Sequence, residues 1–303
     1  MKSALDKGNS MKSERRNILI GGSGFIGSAL TETLLSQGER VVVVARDMPT
    51  ERIEGVEYLE IDLGGDLSSL YDIFERGDVV FLLIGQVYPG FDVQKEKETF
   101  SSVLDVLSQS FPEKVLFASS ALVYGDTDIA VSERMPLHPK DEYSVFKTEC
   151  ERMIRERLAH ISVGVVRLGN VYGSEKNRGF IGLVFSKASD GTKMSINGDG
   201  LQERDYVFLD DVVSGMIAVR DKLSGFDIVN IATGTSSTLL DIIKLAENVV
   251  GKKIEYEVTG LPVHEVYRSR IDGGKLQREY GYKPRVSISE GLQRTYDRYK
   301  KEH

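Results

Sequence analysis

From residue 17 the chain settles into a rhythm of short apolar runs separated by longer amphipathic stretches. Asn17-Ile18-Leu19-Ile20-Gly21-Gly22 is an apolar run, and from Gly24 to Gln37 apolar positions recur at helical spacing until Gly38 ends them. A strand, a tight turn and a helix are expected there. Residues 41–45 are a continuous β-branched run, the mark of a strand buried on both faces of a parallel sheet, and 56–61, 78–85, 114–120 and 162–168 read the same way. Between them, 67–75, 93–109 and 142–158 have the length and patterning of crossover helices. This alternation predicts an α/β fold with a doubly wound parallel sheet and helices on both sides.

After about Gly169 the rhythm changes to Gly-rich turns, with short strands near 193–196 and 228–231 and helices near 210–222 and 238–250. A smaller C-terminal α/β lobe over the carboxyl edge of the sheet is expected. The predicted division is a disordered leader over 1–16, a nucleotide-binding domain over 17–169, and a mainly substrate-binding lobe over 170–303, interleaved with sheet elements near 204–235. No internal repeat of fixed period is present.

Composition narrows the class. Hydrophobic residues make up 41% and charged residues 28% of 303, ordinary for a folded globular protein. No apolar run approaches the roughly 18 residues of a membrane span. The single cysteine, Cys150, allows neither an intrachain disulfide nor a Cys-cluster metal site, which fits a reducing cytoplasm. A net charge of -7 argues against a broad nucleic-acid surface, so any anionic ligand must be held by local groups.

The first turn supplies such groups. Gly21, Gly24 and Gly27 in Gly21-Gly22-Ser23-Gly24-Phe25-Ile26-Gly27 permit a tight turn, close approach to a pyrophosphate and close helix packing, with phosphate at the helix N-terminus. The context of strand before and helix after points to a dinucleotide. At the end of the second strand an acid would bond the ribose 2′-hydroxyl. Ala45 stands there, followed by Arg46, which suits the 2′-phosphate of NADP, while Asp47 one register later keeps NAD open. Asp62 and Leu63, after the third strand, fit the adenine edge; surface solvation explains that Asp equally well.

Tyr143 and Lys147 stand four apart in a segment of helical pattern, so phenol and ammonium share one face. A cation nearby favours the phenolate, which then exchanges a proton with a substrate oxygen.

With these motifs in view the chain resembles the extended short-chain dehydrogenase/reductase family, in particular its nucleotide-sugar epimerases, dehydratases and reductases. The resemblance runs from Asn17 to about Arg298. It rests on the Gly-rich turn, Ser119-Ser120-Ala121-Leu122-Val123-Tyr124-Gly125, Tyr143 and Lys147, Arg167-Leu168-Gly169-Asn170-Val171-Tyr172-Gly173, and Gly198-Asp199-Gly200 with Arg204-Asp205-Tyr206-Val207. It implies a Rossmann-type domain with a catalytic set of Ser120, Tyr143 and Lys147. Phe25 and Ile26 join Gly21, Gly24, Gly27, Arg46, Asp62, Leu63, Tyr143 and Lys147 around the cofactor. Ser120, Asn170, Arg204 and Arg268 face a nucleotide-diphosphate sugar, with Arg270 the rival of Arg268. A homodimer through the helices at 93–109 and 142–158 is implied too, and no metal.

The departures bear on the reaction. The family's His-x-Ala-Ala-like run after the fourth strand is replaced by Phe81-Leu82-Leu83-Ile84-Gly85-Gln86-Val87-Tyr88, and its usual Asn on the next helix has no counterpart in Glu96-Lys97-Glu98-Thr99-Phe100-Ser101. Ala121 and Leu122 stand where 4,6-dehydratases of the family carry an acidic pair or a lone Glu, and Ala121 also argues against an epimerising reductase with a Cys. Two reactions remain: 4-epimerisation of a nucleotide sugar through transient hydride transfer, which the motif set favours, and NADPH-dependent reduction of a 4-keto-sugar nucleotide, which Arg46 favours. A non-catalytic NADP(H) sensor is disfavoured by the retained Tyr143 and Lys147. A small-molecule carbonyl reductase is disfavoured by Arg204 and Gly198-Asp199-Gly200.

Overall fold

The computed structural model describes residues 15–85, 92–174, 176, 179–262 and 264–302. Its centre is a seven-stranded, wholly parallel sheet. Six of its strands come before residue 169: β1 (Arg16–Ile20), β2 (Arg40–Ala45), β3 (Val56–Glu60), β4 (Val79–Leu82), β5 (Lys114–Ser120) and β6 (Ser162–Leu168). Three short strands follow in the lobe or at its border, β7 (Asn170–Tyr172), β8 (Met194–Asn197) and β9 (Glu203–Arg204), then β10 (Tyr206–Phe208). The chain returns to the main sheet in β11 (Phe226–Ile231) before β12 (Ser237–Thr238) and β13 (Tyr256–Thr259). The order across the sheet is β11-β6-β5-β4-β1-β2-β3. The order reverses beside β1, and a doubly wound sheet opens a ligand crevice at such a reversal, outside the carboxyl ends of its strands.

The helices are α1 (Phe25–Ser36), α2 (Ser68–Tyr71), α3 (Val93–Ser110), α4 (Glu142–Arg157), α5 (Phe180–Asp190), α6 (Leu209–Lys222), α7 (Leu239–Val250), α8 (Gly274–Tyr280) and α9 (Ile288–Glu302). Alternate strand residues divide the core in two. Leu19, Val41, Val43 and Phe81 pack under Leu30 and Leu34 of α1 and Met216 of α6, while Ile18, Ile20, Val42 and Val44 share the opposite layer with Leu104 of α3 and Cys150 of α4. A separate core in the lobe joins Phe185 of α5, Ile242 of α7 and Leu292 of α9.

The structure departs from the sequence reading at three places. The expected leader lies outside the described residues as far as 14, and Arg16 already belongs to β1, donating to Asp78 at 3.0 and 2.7 Å. The helix expected over 67–75 shrinks to the single turn Ser68–Tyr71. Its second half spends its backbone elsewhere: the Ile73 carbonyl accepts from Arg16 and the Glu75 amide donates to Asp78, both at 2.7 Å. Finally, β3 has only half-buried and exposed residues rather than being buried on both faces, because it is an edge of the sheet.

Candidate active site and its two cavities

The turn after β1 is shaped by contacts that only glycine allows. Gly21 has φ +84°, and a Cβ on Gly27 would meet the Gly22 backbone at 2.5 Å. The helix that follows, α1, begins at Gly24 with no side-chain cap and no acid in its first turn. Its N-terminal amides therefore face the crevice with the positive end of the helix dipole, a setting for an anion.

A cavity of about 450 Å³ opens over this turn. Gly21, Gly24, Phe25, Ile26, Gly27, Arg46, Asp62, Leu63, Tyr143 and Lys147, all named from the sequence, line it. The turn, the backbone cradle and the cavity's extent fit a dinucleotide with its pyrophosphate on α1. Arg46 stands at the rim with its side chain 71% exposed and pairs with Asp47 at 2.9 Å. Asp62 accepts the Gly64 amide at 3.0 Å, which shapes the loop after β3. Sequence reasoning missed Lys95, Glu96 and Thr99, which α3 presents to the same cavity where the family's Asn was sought. Their spacing of three to four on one helix face was the available signal. Gln86, Val87 and Tyr88 of the atypical run lie outside the described residues.

From α4, Tyr143 and Lys147 face the same cavity. Asp141 caps the helix in a reciprocal box with Ser144, which fixes its first turn two residues from Tyr143. Lys147 is buried, and its ammonium donates to the carbonyls of Ile84 at 2.9 Å and Ala118 at 2.8 Å. The same Nζ lies 5.6 Å from the centre of the Tyr143 ring. Ser120 ends β5 and accepts the Leu122 amide at 3.2 Å, so it is a strand-end cap as well as a neighbour of the phenol.

Burial outweighs charge here. Tyr143 is pushed up to about 12 by burial, against the pull of a hydrogen bond with Ser120. Lys147 is pushed down to about 8, again by burial, against the opposing influence of Cys150, Glu151 and Glu96. The expected lowering of the phenol by Lys147 is thus not what the structure shows: the ammonium is turned to two backbone carbonyls. The Tyr143 phenol therefore keeps its proton at neutral pH, and a further positive charge in the site would favour its release.

Leu168 lines the first cavity and Asn170, two residues on, lines a second of about 260 Å³ in the lobe. Arg204, buried on β9, reaches this second cavity and forms an ion pair there with Glu265. Among the described residues two buried polar atoms of its lining have no partner, the Gln202 Oε1 and the Tyr206 hydroxyl. Such groups are costly unless a ligand or water satisfies them. Glu265, Gln202 and Tyr206 were not anticipated; the last two flank Arg204 at alternate positions of a motif that had been noted.

Arg268 is not brought into either cavity. It is half-exposed, pairs with Asp128 at 2.8 Å and stands 3.8 Å from Glu203. Its rival Arg270 holds Glu203 with two bonds of 2.7 and 2.8 Å. Both cations neutralise acids on the same loop surface, which a linear spacing does not reveal. Among the described residues no cluster of three or more His, Cys, Asp or Glu could hold a metal, and no helix is long and apolar enough to cross a membrane.

Fold, turn and cavity together define a Rossmann-type enzyme with a dinucleotide site beside a Tyr-Lys helix. The chain belongs to the NAD dependent epimerase/dehydratase family, whose sequence model matches residues 18–232, and is an enzyme of the extended short-chain dehydrogenase/reductase type. It is 28% identical over 307 residues to a UDP-glucose 4-epimerase of Mycolicibacterium smegmatis, covering 93% of this chain and 97% of that one. It is also 28% identical over 310 residues to a dTDP-4-dehydro-6-deoxyglucose reductase of Escherichia coli, again covering 93% and 97%. Among solved structures, MoeE5 in complex with UDP-glucuronic acid and NAD superimposes with a TM-score of 0.87 at 25% identity, covering 95% of this chain and all of that one.

Proposed function

We propose that the protein is an NAD(P)-dependent epimerase acting at C4 of a sugar carried on a nucleoside diphosphate. The observation that carries this reading is the position of Tyr143 and Lys147 at one end of the dinucleotide-shaped cavity, next to a polar cavity holding Asn170 and Arg204. Tyr143 takes the proton of the C4 hydroxyl and later returns it, while Ser120 hydrogen-bonds the same oxygen. When bound, the oxidised cofactor supplies a hydride acceptor and a positive charge beside the phenol. Lys147 orients the cofactor's ribose, and Arg204 binds the diphosphate. Ala121 and Leu122 offer no group that transfers a proton at C5 or C6, so the sugar is released with only C4 changed.

Net reduction of a 4-keto sugar by NADPH is the second reading, favoured by Arg46 at the cavity rim and by the similarity to the reductase. A cytoplasmic homodimer through α3 and α4 completes the proposal, to be checked by light scattering of the purified protein. The deciding assay offers UDP-glucose, UDP-glucuronic acid and a dTDP-4-keto-6-deoxy sugar with NAD or NADPH. Interconversion of 4-epimers with no accumulation of reduced cofactor supports the epimerase; stoichiometric NADPH oxidation by the keto sugar replaces it with the reductase.

A further inference from the structure

Behind the catalytic pair lies a buried polar network that these roles leave unused. Tyr143, Lys147 and Glu151 follow one another at intervals of four along α4, so they stack on one face. Glu151 is buried and accepts both arms of Arg167, at 3.0 and 2.6 Å, and the Ser119 hydroxyl at 2.6 Å. Arg167 also donates to the Tyr124 hydroxyl at 2.9 Å, which donates to Asn230 at 2.7 Å. A buried ion pair adds little net stability over a well-packed apolar pair, so stability alone is a poor account of this arrangement.

Its location gives a better one. Ser119 stands between two groups of the site: the preceding Ala118 carbonyl accepts from Lys147, and the following Ser120 hydroxyl meets Tyr143. A bond that ties Ser119 to α4 sets both spacings at once. The titratable groups facing Lys147 are Glu96 from α3 and Glu151, Cys150 and Tyr143 from its own helix, with Arg167 beyond Glu151; burial keeps the Cys150 thiol and the Tyr143 phenol neutral at pH 7. Glu151 opposes the burial that pushes Lys147 down to about 8.

We propose that Glu151 is a positioning residue: clamped by Arg167, it holds Ser119 so that Ser120 and Lys147 keep register with Tyr143, and its carboxylate stabilises the neighbouring ammonium. The inference rests on the Ser-Tyr-Lys reading given above. Three variants of the full chain test it: Ser119→Ala, Glu151→Gln and Glu151→Asp. Ser119→Ala leaves the Glu151–Arg167 pair intact and is expected to fold, bind NAD as before and lose about tenfold in kcat with KM within about twofold, the pattern of misplacement rather than lost binding.

Glu151→Gln moves the pH at which Lys147 loses its proton down by about one unit, and Glu151→Asp, which keeps the charge, restores it. This is read on the protein without substrate or cofactor, by competitive acetylation with acetic anhydride and mass spectrometry of the Lys147 peptide. Should Glu151→Gln not fold, the wild-type titration of Lys147 in Glu151→Asp and the kcat of Ser119→Ala decide the matter. An unchanged kcat in Ser119→Ala, or an unmoved Lys147 titration in folded Glu151→Gln, overturns the proposal. If the wild-type protein converts no sugar nucleotide, the proposed reaction fails while the acetylation arm still judges the effect of Glu151 on Lys147.

Discussion

Arg204 and Glu265 form an ion pair across 61 residues of chain, inside the lobe cavity that also holds Asn170. The guanidinium is almost wholly buried, with 8% of its side chain exposed, and is held by a carboxylate that, on the proposed function, an incoming diphosphate displaces. Charge-assisted bonds from a buried Arg are strong. Arg204→Met is accordingly expected to weaken binding of UDP by about 10- to 100-fold, with NAD binding unchanged, as measured by calorimetry with each ligand. Equal UDP affinities in the two proteins would remove Arg204 from the substrate site.

Tyr143→Phe deletes the group that the proposed function assigns to the substrate proton while keeping the ring against its neighbours. Turnover should drop by about 100- to 10,000-fold with little change in melting temperature or NAD affinity. Retention of more than a tenth of the activity would show that another group transfers the proton.

The buried lysine makes stability depend on pH. Lys147 titrates at about 8 in the folded protein, below the roughly 10.4 of an unfolded chain. Between these values the unfolded state binds more protons, so the contribution of this group to stability rises with pH from about 8 to about 10 and is flat below. Urea denaturation of wild type and Lys147→Met across that window should show the difference between them shifting toward the wild type as pH rises. A pH-independent difference would mean that Lys147 titrates normally.

Cofactor choice is open to a direct test at Arg46. Its exposed guanidinium pairs with Asp47 at the cavity rim, where the 2′-phosphate of a bound NADPH would meet it. Arg46→Ala should weaken NADPH about 10-fold and leave NADH within about twofold, as read by fluorescence titration. Equal losses for the two cofactors would assign Arg46 to the pyrophosphate or to the surface.

Gly85 brings the loop after β4 against Lys147. It has φ +88°, and a Cβ there would meet Phe146 Cε1 at 2.6 Å and Lys147 Nζ at 3.1 Å. Gly85→Ala is expected to cost about 1–3 kcal/mol in stability and to displace the Lys147 ammonium, with cofactor binding falling alongside. An unaltered denaturation midpoint would show that the loop yields without strain.

Much of this molecule was legible in local pattern. The β-branched run that became β2, the Gly-rich turn before α1 and the pairing of Tyr143 with Lys147 depend on contacts within one strand, one turn or one helix, where spacing alone dictates geometry. Even α9, which the reading passed over, carries its signal in Ile288, Leu292, Tyr296 and Tyr299 at helical spacing. What sequence could not decide are matters of partnership between distant segments. Desolvation in the folded site, not the adjacent lysine, sets the state of the Tyr143 phenol. Arg204 enters a cavity while Arg268 turns to Asp128, although both are arginines in Gly- and acid-rich loops. Ser119, Glu151 and Arg167 meet only because β5, α4 and β6 pack together. Local order follows from the periodicity of neighbours along the chain, whereas charge state and partner choice depend on which remote groups exclude water from a site, and that only the folded structure determines.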